Sequence, residues 1–329
     1  MQMNQLGRTS LKVSALGLGL AAVGRPGYIN LGHGQDLGRQ YAPLQMEANA
    51  HALLGAAYKR GIRYFDAARS YGKAEYFLST WLEKAQPQDA TIGSKWGYTY
   101  TAGWEVDAAV HEEKDHSLAV LDRQWQETQS LLANSLNIYH IHSATLESGV
   151  LENAEVLAKL GKLKADGIQI GLSLSGPRQA HTLRMAQWLE VDGVPLFDVV
   201  QATWNLLEPS AGPALAEARE SGMGVIIKEA LANGRLTSRN TDIDFTPSLT
   251  LLEGEARRLL TTVDALSLAA VLNQSWADVV LIGAVRQDHL ISNLKALEVN
   301  WDEEASEKLS ILPEPPAQYW DTRKKLKWN

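Results

Sequence analysis

Eight short apolar runs recur along the chain, separated by longer stretches patterned for helices, and this alternation is what most constrains the fold. The runs are Ala15–Gly19, Ile62–Asp66, Ala90–Ser94, Ile138–His142, Ile168–Leu172, Val199–Ala202, Val225–Ile227 and Val279–Ile282. Most lack polar alternation, as expected of parallel strands covered on both faces. Between them, Glu47–Arg60 sets Ala50, Leu53, Leu54 and Ala57 on one stripe, and Ser117–Asn134 does the same with Leu121, Trp125, Thr128 and Leu132. Leu151–Leu163, Pro177–Glu190, Ala211–Gly222, Leu252–Asn273 and Asp288–Leu297 carry the other helical patterns. Eight strand–helix units in 329 residues predict one domain, a (β/α)8 or TIM barrel. The competing architecture is a doubly wound open sheet. Its glycine-rich dinucleotide turn is represented only by Gly17-Leu18-Gly19, followed by a long loop instead of a helix. Ahead of the first strand, Gln2–Gln5 and Leu11–Val13 flank Gly7–Ser10, which predicts a hairpin within residues 1–14 closing one end of the barrel. Residues 312–329 read as a tail.

Composition narrows the function classes. The chain contains no cysteine, which excludes disulfides and thiolate metal sites. A net charge of −7 argues against a nucleic-acid or anionic-membrane surface. The one basic cluster, Arg323-Lys324-Lys325 with Lys327, reads as a solvated tail. No apolar run approaches the roughly 20 residues a membrane helix needs. The first residues lack the basic-then-apolar layout of a signal peptide, so a cytoplasmic location is expected. Oligomeric state is not legible.

Four residues at strand ends form a candidate catalytic group. Asp66 closes the run Ile62–Asp66, and Tyr71 follows on a loop leading into a helix. Lys95 follows Thr91-Ile92-Gly93-Ser94, and His142 follows Ile138-Tyr139-His140-Ile141. Neighbouring barrel strands lie about 4.8 Å apart, so these ends can converge. An ammonium beside a phenol favours the phenolate and lowers its pKa, and a carboxylate facing the ammonium holds it in place. An adjacent imidazole can orient a carbonyl oxygen. Such a set protonates a carbonyl oxygen as hydride reaches carbon, or deprotonates an alcohol in reverse. The insertion Pro26–Pro43 and the loop Trp96–Trp104 both fall at the C-terminal face, where barrel enzymes keep their chemistry. Trp96, Tyr98 and Trp104 are candidate substrate-binding residues in an aromatic wall, with Gly24–Gly38 and the tail from Tyr319-Trp320 to Trp328 as further walls.

Nearly the whole chain resembles an aldo-keto reductase. Gly61-Ile62-Arg63-Tyr64-Phe65-Asp66 with Tyr71-Gly72 is similar to the family's strand-two signature, Ser94-Lys95 to its strand-three lysine, and Ile138–His142 to its strand-four histidine. Gly161–Ile168 with Gly171-Leu172-Ser173, and Val200-Gln201 with Asn205-Leu206-Leu207, resemble strands five and six. The resemblance implies a catalytic tetrad of Asp66, Tyr71, Lys95 and His142 with Tyr71 as general acid, a nicotinamide cofactor, NADP with NAD also admissible, and a small carbonyl or alcohol substrate. It also implies that Ser173 and Gln201 hold the nicotinamide carboxamide, and that Gly283, Ala284, Arg286, His289 and Asn293 receive the adenosine phosphate end. Lys228 and Leu231 are further cofactor-binding candidates; Lys228 replaces a frequent tyrosine, and its ammonium can reach a pyrophosphate. Leu174 replaces a frequent asparagine and His289 a frequent arginine.

Two other readings remain at this stage. His140-Ile141-His142 has the spacing with which a metal-dependent barrel hydrolase begins its site, because alternate strand residues share a face. In the reductase reading, His140 is instead a core residue satisfied by a neighbour. A barrel that binds nicotinamide without catalysis is the other alternative.

Overall fold

The computed structural model describes residue 1 and residues 3–329, and the side chain of residue 134 is also outside the description. Eight parallel strands close into a barrel: β3 (Leu16–Gly19), β4 (Tyr64–Asp66), β5 (Thr91–Trp96), β8 (Leu136–Ala144), β9 (Gln169–Leu174), β12 (Val199–Thr203), β13 (Gly224–Lys228) and β14 (Val279–Ile282). They pair in that order, and β14 returns to β3 through Val280 opposite Leu16. All eight predicted strands are present, and the (β/α)8 expectation holds over the open sheet. Three two-stranded sheets lie outside the barrel: β1 (Met3–Gln5) with β2 (Lys12–Ser14), β6 (Tyr98–Tyr100) with β7 (Glu112–Lys114), and β10 (Glu190–Val191) with β11 (Val194–Pro195).

The β1–β2 hairpin plugs the N-terminal end of the barrel; its expected first residue, Gln2, lies outside the described residues. Leu6 and Val13 pack under the interior-facing Tyr64, Ile138, Val199, Ile226 and Val279. Gly7 makes the contact possible, with a φ of 52° and a position where a Cβ would come within 2.2 Å of the Gly224 nitrogen.

Twelve α-helices occur among the described residues: α1 (His33–Asp36), α2 (Pro43–Lys59), α3 (Ala74–Ala85), α4 (Leu118–Leu132), α5 (Ala154–Ala165), α6 (Gln179–Gln187), α7 (Gly212–Glu220), α8 (Thr246–Arg258), α9 (Val263–Leu272), α10 (Gln287–Leu294), α11 (Glu303–Leu309) and α12 (Pro316–Lys324). Side-chain caps set several starts. Ser117 accepts from the Val120 amide, Asn153 from Val156 and Asp302 from Ala305. The single helix expected over Leu252–Asn273 is instead two. Leu260 adopts a left-handed φ of 53°, the Thr261 amide turns back to the Ala256 carbonyl, and the chain restarts as α9. The tail also differs from expectation, because α12 forms within it and docks Tyr319 and Trp320 into an apolar cluster with Leu207 and Leu312. Among the described residues, no helix is long and apolar enough to cross a membrane.

Candidate active site

Strand register brings the first three catalytic candidates together. Asp66, the last residue of β4, sits opposite Gly93, so Lys95 stands two residues nearer the mouth on the same face of β5. Lys95 Nζ donates to Asp66 Oδ2, to the Ala67 carbonyl at 2.9 Å and to the Tyr71 hydroxyl at 3.3 Å, which uses all three of its N–H groups. Two turn hydrogen bonds, Tyr71 N to Ala68 O and Ala74 N to Tyr71 O, fix Tyr71 between β4 and α3. From β12, Gln201 Nε2 donates to Asp66 Oδ1 at 2.8 Å.

His142 reaches the same place from β8. Its ring stands edge-on to Tyr71, with centroids 5.5 Å apart, and to Tyr98 at 4.9 Å. A bulge follows at once: Ser143 adopts a left-handed φ of 53°, and its amide turns to Ser173 Oγ at 2.8 Å instead of continuing the ladder. His116 Nε2–H donates to the His142 carbonyl at 2.9 Å and steadies the bulge from behind.

These groups form the floor of a cavity of about 540 Å³ that runs along the C-terminal ends of the strands toward α10. Burial holds the His142 ring well below the ordinary imidazole pKa, with the charges of Lys95, Lys228 and Arg25 acting in the same direction, so the ring is neutral. Burial, then the Asp66 carboxylate, pushes the Tyr71 phenol well above 10. The sequence reading expects Lys95 to lower this phenol; instead, desolvation by burial is the largest effect, with the Asp66 carboxylate acting in the same direction. Tyr71 is therefore a neutral hydroxyl whose oxygen accepts from Lys95, leaving its own hydrogen free for the cavity. Above it, the Arg25 guanidinium lies over the rings of Tyr71, Tyr28 and Trp328 at 5.3, 5.0 and 4.7 Å and pairs with Glu112 at 2.8 Å.

The β13 side of the wall carries charge as well. Glu229 follows β13 in a left-handed conformation, and Arg323 of α12 clasps its carboxylate through both oxygens. Burial opposes ionisation there, yet Arg323 and Lys228 hold the Glu229 carboxyl down at about 2. Lys228 Nζ donates to Thr203 Oγ1 at 2.8 Å, and burial lowers its pKa to about 8. At the far end of the cavity, Arg239 takes both oxygens of Asp36 at 2.5 Å, with His289 Nε2 3.7 Å from the same carboxylate.

The cavity suits an extended cofactor. Gln201, Lys228 and Leu231 wall its inner part, and Gly283, Ala284, His289 and Asn293 its outer part. A Cβ built on Gly283 would meet nothing closer than Asn30 Nδ2 at 3.7 Å, so backbone faces open space there. The N-cap residue Arg286 makes no side-chain cap at the start of α10; the His289 amide is met by Asp288 Oδ1 at 3.1 Å, and the amides before it are available to a phosphate.

Comparison with known proteins shows the family and the fold. The family model for the Aldo/keto reductase family matches residues 29–312. The chain belongs to that family. The aldo-keto reductase fold is shared with the holo form of an aldo-keto reductase from Bacillus halodurans, at a TM-score of 0.72 and 20% identity over 96% of this chain and 97% of the other. Among curated relatives, L-glyceraldehyde 3-phosphate reductase from Escherichia coli is 26% identical over 90% of this chain and 88% of its own. Pyridoxal 4-dehydrogenase from Microbacterium luteolum is 32% identical over 158 residues, 42% of each chain.

Several positions expected at this aldo-keto reductase site lie elsewhere. Trp96 is fully buried and packs edge-on against His116, away from the cavity wall. Trp104 also lies outside the wall: it packs on Phe77 and donates to the Tyr41 carbonyl. Of that aromatic set only Tyr98 reaches the cavity, held by the β6–β7 pairing where a loop was expected. Arg286 is exposed and pairs with Asp288, off the wall. Ser173 lies behind the wall, with its oxygen engaged by Ser143. His140 is buried against Gly171, where a Cβ would come within 2.3 Å of its Nδ1, and neither ring nitrogen has a partner. The expected satisfying neighbour is absent, and the metal-site alternative loses the second of its two imidazoles from the cavity. Among the described residues, no group of three or more His, Asp or Glu is placed to hold a metal.

Other charged wall residues were not singled out from the sequence, although Arg25, Asp36 and Arg323 fall within Gly24–Gly38 and Tyr319–Trp328, the stretches expected as further walls. Arg25, Glu112, Asp36, Glu229, Arg239 and Arg323 all line the cavity. Arg323, read as part of a solvated tail, is instead tied to Glu229. The available signal was position: most belong to insertions after barrel strands or to the last helix.

Proposed function

We propose that this chain is a nicotinamide-dependent carbonyl reductase, working as an alcohol dehydrogenase in reverse, with Tyr71 as general acid and base. The observation that carries this reading is the threefold donation of Lys95 Nζ to Asp66, the Ala67 carbonyl and the Tyr71 hydroxyl at the cavity floor. A nicotinamide dinucleotide, when bound, supplies or accepts the hydride. The chain's own part is proton transfer and positioning. Tyr71 gives its proton to the carbonyl oxygen as negative charge gathers there, while the neutral His142 ring orients that oxygen. Lys95 holds the phenol oxygen and eases charge onto it, and Asp66, braced by Gln201, holds Lys95. Arg25, Tyr28 and Trp328 cover the floor and limit water.

The names of the relatives, which refer to glyceraldehyde 3-phosphate, pyridoxal and, for an Escherichia coli protein 24% identical over 90% of this chain, NADH-specific methylglyoxal reduction, support a small carbonyl substrate. The far end of the cavity supports NADH at least as strongly as the expected NADPH. The Arg239 charge is already neutralised by Asp36, burial keeps His289 below its ordinary pKa, and a carboxylate suits a ribose hydroxyl better than a phosphate.

The test is Tyr71→Phe. Consumption of NADH with a panel of small aldehydes should fall by at least about 100-fold. Cofactor binding, followed by quenching of tryptophan fluorescence, should be unchanged. Full activity in the variant would refute the assigned role.

A further inference from the structure

Among the described residues, the catalytic half of the cavity contains one largely buried ammonium without a carboxylate of its own, Lys228. Arg25 pairs with Glu112 at 2.8 Å, Lys95 with Asp66, and Arg323 takes both oxygens of Glu229. The nearest acid to Lys228 is that same Glu229, 3.7 Å away and already clasped. Among the described residues, the polar contact within hydrogen-bond range of Lys228 Nζ is a single one, the Thr203 hydroxyl at 2.8 Å. An ammonium has three N–H donors, and this side chain is only 15% exposed. A cation so placed is costly unless something meets it, and the remaining open direction is the cavity it lines.

Its height in the barrel locates what would meet it. Thr203 and Lys228 are in register, two residues beyond the Gln201–Ile226 pair on the same strands. Gln201 is the group that braces Asp66 at the floor. Lys228 therefore stands one pleat above the proton-transfer layer, roughly 7 Å toward the mouth. The Trp320 ring, 5.7 Å from Nζ, backs it on the α12 side.

We propose that Lys228 is a substrate-binding residue and that the physiological substrate is a short aldehyde or ketone carrying a carboxylate or phosphate a few bonds from the reacting carbonyl. The proposal rests on the carbonyl-reductase reading above. The anion supplies the missing acceptor for Lys228, and its charge falls between Lys228 and the Arg25 side of the wall while the carbonyl reaches Tyr71. The same chemistry is present in the diphosphate of the cofactor, so the experiment separates the two sources.

With saturating NADH, reduction is measured for two matched pairs, glyceraldehyde against glyceraldehyde 3-phosphate and butanal against succinic semialdehyde, in the wild type, Lys228→Met and Lys228→Arg. The charged member of at least one pair should have the higher kcat/KM by about 10-fold or more, from the strength of hydrogen bonds to charged groups. Lys228→Met should erase that preference mainly through KM, and Lys228→Arg should retain most of it. NADH affinity by tryptophan fluorescence should be the same in all three proteins. Calorimetric titration with inorganic phosphate and with succinate should show binding of at least one anion to the NAD-saturated wild type and neither to NAD-saturated Lys228→Met. The neutral aldehydes test the reductase reading alone, whereas the calorimetry tests the anion site without turnover. No preference in the wild type for either charged substrate would overturn the proposal. So would competition of NAD with both anions, or a Lys228→Met variant that loses NADH affinity and slows all four substrates alike, since Lys228 would then belong to the cofactor.

Discussion

Lowering the pH from about 7.5 to about 5 protonates histidines in an unfolded chain, whose imidazoles titrate near 6.5. In this protein His33 and His116 resist that change. His33 lies within α1 with its ring 6.0 Å from Tyr28, and His116 lies between Trp96 and the His142 carbonyl; burial lowers each pKa to about 4. Between pH 6.5 and about 4 the unfolded chain holds more protons than the folded one, so stability rises with pH across that window and is lost on acidification. Each pH unit costs about 1.4 kcal/mol per histidine, which makes about 2 kcal/mol each at pH 5 and about 3 kcal/mol each near pH 4. Together that is a large part of the roughly 5–15 kcal/mol that keeps a typical domain folded. Glu229, held down at about 2, adds its own acid loss, but only below the ordinary glutamate range, and so does not confuse the upper window. Urea denaturation followed by tryptophan fluorescence at the two pH values measures the difference. His116→Gln keeps an N–H for the His142 carbonyl and removes the titration. It should cost no more than about 1 kcal/mol at pH 7.5, and its loss between pH 7.5 and 5 should be about 2 kcal/mol smaller than that of the wild type. A variant as acid-sensitive as the wild type would refute the claim that His116 is the group withholding a proton.

Two further outcomes follow from the ion pairs on the cavity wall. Asp36→Asn frees Arg239 at the far end, so the Kd for NADPH relative to NADH, read by fluorescence titration, should improve by about 10-fold, and an unchanged ratio would remove Asp36 from cofactor choice. Arg323→Met strands the Glu229 carboxylate and should destabilise the protein by about 3 kcal/mol in urea, the low end for a broken buried pair because Lys228 stands 3.7 Å away to share the charge; adding Glu229→Gln should recover most of the loss.

What could be read from the sequence follows the range of the forces involved. The strands and the meeting of Asp66, Tyr71, Lys95 and His142 were legible because strand length, apolar burial and placement at a strand end are local properties that a closed parallel barrel converts into convergence. Asp66, Lys95 and His142 could be placed from their own runs alone. The break at Leu260 was not legible, since an apolar residue with no glycine or proline beside it gives no stop signal, and the surrounding pattern reads through. The wall charges were hidden for another reason. Arg25 meets Glu112, Asp36 meets Arg239 and Glu229 meets Arg323 across separations of 87, 203 and 94 residues. A lone arginine in a basic tail and one that closes a cavity look alike until the fold brings the partner. The aromatic loop misled in the opposite way: Trp96 and Trp104 are as apolar as a substrate wall requires, and that is equally why they pack inward.

The direction in which Tyr71 is shifted bears on how the proposed proton transfer would work. A permanently acidic phenol would be partly ionised before substrate arrives, and a phenolate has no proton to give. Burial and the Asp66 carboxylate prevent this by pushing the phenol well above 10, so the resting site holds its proton across the physiological range. The acid needed is modest, because an alkoxide forming on a carbonyl carbon is a far stronger base than a phenolate, and a neutral phenol suffices to protonate it. What the phenol requires is stabilisation of the charge it acquires afterwards. Lys95 is already donating to that oxygen at 3.3 Å, and Asp66 fixes the ammonium without touching the phenol's own hydrogen. In the proposed reaction the pair thus acts on the product side of the proton transfer, where charge appears, and not on the ground state. In an enclosed cavity that difference in timing is worth more than a lowered resting pKa, since the donor is preorganised and no water has to reorient.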